Sequence, residues 1–586
     1  MLLARLTKGF QGLDYRRPLA VAALLLPLTS QPMAAAQPPD WDNFVDQYIE
    51  AFFVAHPAFA VVQGRHEFDG QLPDWSRQGI AREVARLHQQ REQALAYSDT
   101  ELSDEQQYQR EYLLSAIDAQ LFWLEEAQWP FRSPDFYFSW LSDSLDPSPY
   151  ITLTYASPEE RMQAFIRYAN AVPQASEQIK DNLRMPMPLT VLQYGIDSFG
   201  GFADFFRRDV ADAFGTVSDE ILLARFDSAR EKAANAMQGL ADHLTANLDT
   251  ATQDYALGPE LYRKMLYATE RVDISLEELE AIGRADMERN QKALQAACAQ
   301  FAPGQSIADC FAKMASRKPE GGPVAAARRQ LPELKAFLIE KNLVTIPGQD
   351  EARVEESPPY ARSNSAYINT AGPYEKNQPS IYYISPPNPA WPKAVQEAYI
   401  PGESDLLFTS AHEVWPGHFL NFVHANRATF TFGRIFVTYA FGEGWAHYTE
   451  DMMLDAGLRG QSAETRIGQL GNALLRNARF LSSIGLHTQG MTIEESQKLF
   501  MEGAYQDRGT AEQQAARGTY DPAYLNYTLG KIMIMKLRDE WTGSRGGRKA
   551  WREFHDTFLS YGGPPIPLVR AQMLKSESGA APSTSD

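Results

Sequence analysis

Cysteine is nearly absent from this sequence, with two residues, Cys298 and Cys310, in a chain of 586. That count excludes a disulfide-dense scaffold and a thiolate metal cluster. Long apolar runs are missing as well: the run PLAVAALLLPLT near the N-terminus is too short to span ~30 Å of hydrocarbon. Positive charge is in deficit, 55 Lys and Arg against 74 Asp and Glu, a net −19. Such a field repels nucleic acid and anionic lipid, so neither is an expected partner. The sequence also lacks a Gly-rich phosphate loop, a Gly-x-Ser-x-Gly elbow, a Cys-x-x-Cys pair and any internal repeat.

What is present is a globular composition, 44% hydrophobic and 22% charged, in a chain long enough for an extensive core. Residues 1–36 read as a secretory signal peptide. Arg5, Lys8, Arg16 and Arg17 form a positive leader, the apolar run follows, and Ala34-Ala35-Ala36 offers small residues for cleavage. The Arg16-Arg17 pair leaves twin-arginine export open beside the general secretory route. No cysteine follows the run for lipid attachment. A periplasmic or secreted protein without stable membrane insertion is therefore expected. The leader holds four positive residues and Asp14, so the remainder carries −22. In an oxidising compartment Cys298 and Cys310 have only each other as intramolecular partners; a local staple is expected, with two buried thiols as the alternative.

Apolar residues recur at three- and four-residue steps from Trp41 to about Gln128, again from Ser157, and from 403 to about Met573, which predicts helices. Ser157-Pro158-Glu159-Glu160 is a helix-start signal. The clearest β segment is PSIYYISP, 379–386, preceded by SNSAYINTAGPYEKN. The expected fold is mainly α, a single body over 37–573, with a small β element ahead of the histidine-rich region and a disordered tail over 574–586.

Six of ten histidines fall within 412–555, and four of those within 36 residues. The run AHEVWPGHFLN holds His412, Glu413 and His418. On a regular helix a six-residue step turns ~600°, leaving the two rings ~240° and ~9 Å apart. No single zinc with bonds of ~2.1 Å spans that gap. Pro416-Gly417 between them permits a kink or bulge that returns His418 to the face of His412. FGEGWAHYTEDMM then supplies Glu443 at a separation suited to a second ligand-bearing helix. Two histidines and a carboxylate leave a fourth position open, the catalytic arrangement for Zn2+. Gly442 and Gly444 flanking Glu443 argue for close helix packing.

The segments HEVWPGHFLN, EGWAHYTED, GLHTQGMTIEES, YLNYTLGKIMIMKLR and FHDTFLSYGGPPIPL, with HPAFAVVQGRHEFDGQLPDWS and ASPEERMQAFIRYANAVP before them, resemble the bacterial family catalogued as domain of unknown function 885. That family is grouped with zinc peptidases whose third ligand is glutamate. The resemblance implies His412, His418 and Glu443 as ligands of one zinc ion and Glu413 as general base. It also implies a bilobed, mostly helical zincin architecture with a deep central cleft. Two positions depart from the family pattern: His447 stands where leucine is common, and Ser483 where an aspartate precedes GLH.

An exported zinc metallopeptidase acting on short peptides follows as the expectation. His487 and Tyr527, in the matching segments, are candidate catalytic donors to a tetrahedral oxyanion. PSIYYISP reads as an edge strand for an extended peptide, with Tyr382 and Tyr383 flanking the substrate, or as a plain hairpin. Arg517, Lys531 and Arg538 are candidate partners of a peptide carboxylate. Two alternatives stay open, a silent peptide- or envelope-binding protein and a zinc amidase acting on peptidoglycan fragments.

Overall fold

Ser157 does start a helix: its side chain accepts the Glu160 N–H while Glu160 reaches back to the Ser157 N–H, closing a capping box. The helix so begun, α1 (Pro158–Asn182), packs with α2 (Leu189–Arg207) and α3 (Glu220–Thr245). Phe165, Phe199, Phe206 and Phe226 fill the layer between them. Further along, α4 (Leu276–Phe301) carries Cys298, which is disulfide-bonded to Cys310 as expected.

The computed structural model describes residues 40–578, apart from 139–143, 358–361, 363–364 and 390. The expected signal peptide lies outside these residues. Among the described residues no helix is long and apolar enough to cross a membrane. The residues from Trp41 on form one compact, predominantly helical unit.

One small sheet interrupts the helices: β1 (Ala352–Glu356), β2 (Ala366–Asn369) and β3 (Ser380–Ile384), in the order β1-β3-β2. β3 runs parallel to β1 and antiparallel to β2. This corrects the expected edge strand. PSIYYISP supplies the central strand, buried at every position, and a strand apolar on both faces is what a covered centre requires. β1 and β2 are the two edge strands.

The chain then forms α5 (Glu403–Glu413), α6 (His418–Ala425), α7 (Tyr439–Asp455), α8 (Ala463–Thr488), α9 (Arg508–Tyr520), α10 (Asn526–Gly543) and α11 (Ile566–Ser578). The last helix continues five residues past the expected boundary at Met573; the rest of the expected tail lies outside the described residues. α7 and α10 approach closely at Gly444 and Gly530. A Cβ on Gly444 would stand 2.5 Å from the Gly530 Cα, and one on Gly530 would stand 2.0 Å from the Ala440 carbonyl oxygen. This bears out the packing role read for Gly444. A Cβ on Gly442 would meet nothing nearer than 3.4 Å, and that residue instead faces a cavity.

The cavity has a volume of about 2280 Å³. Its wall is shared by the N-terminal helices, by 365–372 including β2, and by α5 through α10.

Candidate metal centre

His412 and His418 are brought together by a complete helix break, not by a kink within one helix. α5 ends at Glu413, Val414 leaves helical geometry, and α6 starts afresh at His418. Pro416 has no N–H to donate, and the Gly417 N–H turns back to the Ala411 carbonyl at 2.9 Å. Only glycine fits there, because a Cβ would lie 1.7 Å from the His412 carbonyl oxygen. The linker is fastened to α7 by Trp445, whose indole N–H donates to the Pro416 carbonyl at 2.9 Å. The same helix presents Glu443.

The two imidazole rings stand 4.8 Å apart and nearly perpendicular. Glu443 Oε2 is 3.3 Å from Nε2 of His412 and 3.3 Å from Nε2 of His418. One donor atom from each of the three residues lies within 4.8 Å of the others. Glu443 Oε2 is buried and forms no hydrogen bond of acceptable geometry. Burial opposes its charge, yet the His418 and His412 imidazoles outweigh that and hold its carboxyl well below the usual range.

Beneath the triad lies a buried polar network. Glu450, fully buried on α7, accepts from His412 Nδ1 at 2.8 Å and stands 3.3 Å from the Arg476 guanidinium. Arg476 Nη2 also stands 3.2 Å from that Nδ1; when the ring is neutral, an Nδ1–H bond to Glu450 turns the Nε2 lone pair toward Glu443 and His418. Burial and Arg476 push the His412 imidazolium down, and the Glu443 and Glu450 carboxylates more than reverse this, to about 9. His447, fully buried, is 3.5 Å from Glu450. Burial and Lys531 lower its pKa to about 3, so it is neutral. Glu450 and Arg476 did not emerge from the sequence as site residues. The available signal was the seven-residue step from Glu443 to Glu450, which places both on one stripe of α7.

Glu413 lines the cavity beside His412 and makes no hydrogen bond or ion pair among the described residues. Burial and Glu443 raise its pKa. Tyr527, on α10, also lines the cavity, its ring stacked 6.4 Å from that of His412.

Three other expectations are corrected. His487 does not line the cavity: its Nε2–H donates to the Gly518 carbonyl at 2.7 Å, and Nδ1 accepts the Leu257 N–H at 3.3 Å. With both nitrogens bonded to backbone, it has no proton for an oxyanion. Tyr382 and Tyr383 are buried in the central strand and absent from the cavity wall; β2, with Tyr367 and Ile368, lies there instead. Of the three cations, Arg517 lines the cavity, whereas Lys531 is buried between Asp286 at 3.3 Å and Asp451 at 3.4 Å. Arg538 lies away from the wall, paired with Asp539 at 2.8 Å.

The chain resembles two solved structures. One is a candidate lipoprotein of unknown function from Shewanella oneidensis, with a TM-score of 0.74 at 21% identity over 92% of this chain and 100% of that one. The other is a candidate lipoprotein from Colwellia psychrerythraea, with a TM-score of 0.78 at 16% identity over 93% and 100%. Identities this low speak for a shared fold alone. No curated protein matches the chain. The profile of one family, described as a bacterial protein of unknown function (DUF885), matches residues 57–573, and the chain, with its paired histidines and Glu443, belongs to that family.

Proposed function

We propose that the protein is an exported metallopeptidase of bilobed, glutamate-ligated zincin type, using one zinc ion to cleave short peptides in its cavity. The carrying observation is Glu443 Oε2, buried, without a hydrogen bond, and 3.3 Å from both imidazole Nε2 atoms. A buried carboxylate oxygen facing two imidazole nitrogens fits a divalent cation. Two nitrogens and one carboxylate oxygen are a donor set that zinc favours in catalytic sites.

His412, His418 and Glu443 would hold the ion, and Glu450 would orient His412 through Nδ1. Bound there, zinc supplies Lewis-acid polarisation of the scissile carbonyl and acidifies water. Glu413, whose carboxylate has no partner among the described residues, takes the proton of the attacking water and returns it to the leaving nitrogen. Tyr527 donates its phenolic hydrogen to the developing oxyanion. β2, an edge strand on the cavity wall, would offer backbone groups to an extended peptide added to the sheet as a further strand. A cavity walled on several sides by helices admits a short chain and excludes a folded protein. The two candidate lipoproteins that share the fold, together with the leader-like N-terminus, support a periplasmic or secreted location.

Metal analysis of the purified protein should find one zinc per chain, and a mixed peptide library read by mass spectrometry should show cleavage. Glu413→Gln should retain the zinc and lose about 10²–10⁴-fold in rate. A protein that stays metal-free in saturating zinc, or a loaded protein that cleaves nothing, overturns the reading.

A further inference from the structure

On the cavity wall, Arg479 is a buried positive charge that the described residues leave without a counter-charge. Three arginines line it close to Tyr527: Arg476 and Arg479 on α8 and Arg517 on α9. Arg476 is paired with Glu450 at 3.3 Å. Arg517 is paired with Asp521 at 2.8 Å and donates to the Tyr439 hydroxyl at 3.1 Å. Arg479 differs. It is 8% exposed, and its Nε donates to a neutral acceptor, Gln514 Oε1, at 2.8 Å. Among the described residues it has no carboxylate within ion-pair distance, and its two Nη groups make no hydrogen bond.

Burial presses against this charge, and the neighbouring guanidinium groups of Arg517 and Arg476 add to the pressure, so its pKa falls below the ordinary value. The Tyr527 ring, 4.9 Å from the Arg479 Cζ, returns part of the lost solvation as a cation–π contact. That does not replace a counter-ion. A buried cation without an anion is strongly unfavourable, and such a group is stabilised when an anion arrives. The free Nη edge is a planar fork that matches a carboxylate bidentately.

Position connects this charge to the triad. Arg479 Cζ lies 4.9 Å from the Tyr527 ring centre, which lies 6.4 Å from the His412 ring. The guanidinium is therefore within about 11 Å of the His412 ring, the length of about three extended residues. On the peptidase reading, on which this step rests, we infer that Arg479 is a subsite for a free carboxylate of the substrate, the peptide C-terminus, and that cleavage falls within about three residues of that end.

The test compares short N-acetylated peptides synthesised in pairs, as C-terminal acid and as C-terminal amide, on the zinc-loaded full chain. The acids should be cleaved with a KM about 10–100-fold below that of the amides, the range expected for a desolvated charge-assisted pair. Arg479→Gln should raise KM for the acid by that factor with kcat little changed, and Arg479→Lys should recover part of the loss. Circular dichroism melting checks that both variants fold. Should neither fold, competition answers the same question in the wild type, where short acids should inhibit and their amides should not. An amide peptide carrying Asp or Glu near the cut separates a side-chain carboxylate from a C-terminal one; preference for that peptide over the plain acid overturns the C-terminal assignment. Equal cleavage of acid and amide overturns the subsite and leaves the peptidase reading standing. If nothing is cleaved, the peptidase reading falls, and calorimetric binding of the same pairs decides the subsite: tighter binding of the acid supports it, and equal or absent binding overturns it.

Discussion

His412 and His487 are both buried histidines on helices of the C-terminal half, and their surroundings differ in kind. His487 spends both nitrogens on backbone, the Gly518 carbonyl and the Leu257 N–H. Burial lowers its pKa to about 4, so the ring is neutral and complete. His555 is satisfied in the same way, by the Leu343 carbonyl at 2.6 Å and the Tyr448 hydroxyl at 2.7 Å. His412 instead has one nitrogen held by Glu450 and the other turned to Glu443 Oε2, a buried oxygen shared with His418 that accepts no well-formed hydrogen bond. A histidine with both nitrogens satisfied is a structural crosslink. One with a nitrogen aimed at a buried carboxylate oxygen is, on the proposed reading, a metal ligand.

Replacing His418 by alanine should sharpen this contrast most, removing stoichiometric zinc and all measurable peptide cleavage while leaving the fold intact. Retention of full zinc in that variant would dissolve the distinction. Glu450→Gln is expected next in size. It keeps the shape but weakens the acceptor for His412 Nδ1, and zinc affinity in a competition titration should drop about 10–100-fold. His487→Ala should do the opposite, leaving zinc affinity unchanged. Its chemical-denaturation stability should fall by about 1–3 kcal/mol, from two backbone groups left unsatisfied.

The smallest effect concerns another histidine, outside the cavity wall. His66 lies between Asp69 and Glu375, each at 3.1 Å, and carries a proton where His412 would carry a metal. Burial opposes that proton, but the two carboxylates raise its pKa from 6.5 to about 9. Because the folded value is the higher one, its stabilising contribution is fully present below about pH 6.5 and is lost as pH rises through about 9. The melting-temperature difference between wild type and His66→Gln should therefore shrink across that window. A difference independent of pH would show that His66 acts by shape alone.

Local rules made much of the molecule legible in advance. Three- and four-residue apolar spacing and helix-start residues are short-range properties, and helices followed where they predicted; the irregularity at Pro416-Gly417 was legible too, but as a kink or bulge and not as the full helix break that formed. PSIYYISP was recognisable as a strand, but an apolar run cannot say whether its neighbours lie on one side or two, so centre and edge were confused. β1, the charged segment ARVEE, gave no signal because its pairing with β3 is made across the intervening chain. His487 looked like a site residue for want of any sequence trace of the Gly518 carbonyl.

Considered alone, the amino-acid sequence determined the helical class, the restriction of Cys298 and Cys310 to each other as intramolecular partners, and a grouping of His412, Glu413, His418 and Glu443 with an irregularity at Pro416-Gly417. Only the tertiary structure decided that Glu443 Oε2 would meet both imidazoles, that Glu450 and Arg476 would lie beneath them, and that Arg479 would face the cavity without a counter-ion. The reason is physical: helix formation depends on residues a few positions apart, whereas charge compensation depends on side chains from α5, α7, α8 and α10 meeting where water is excluded.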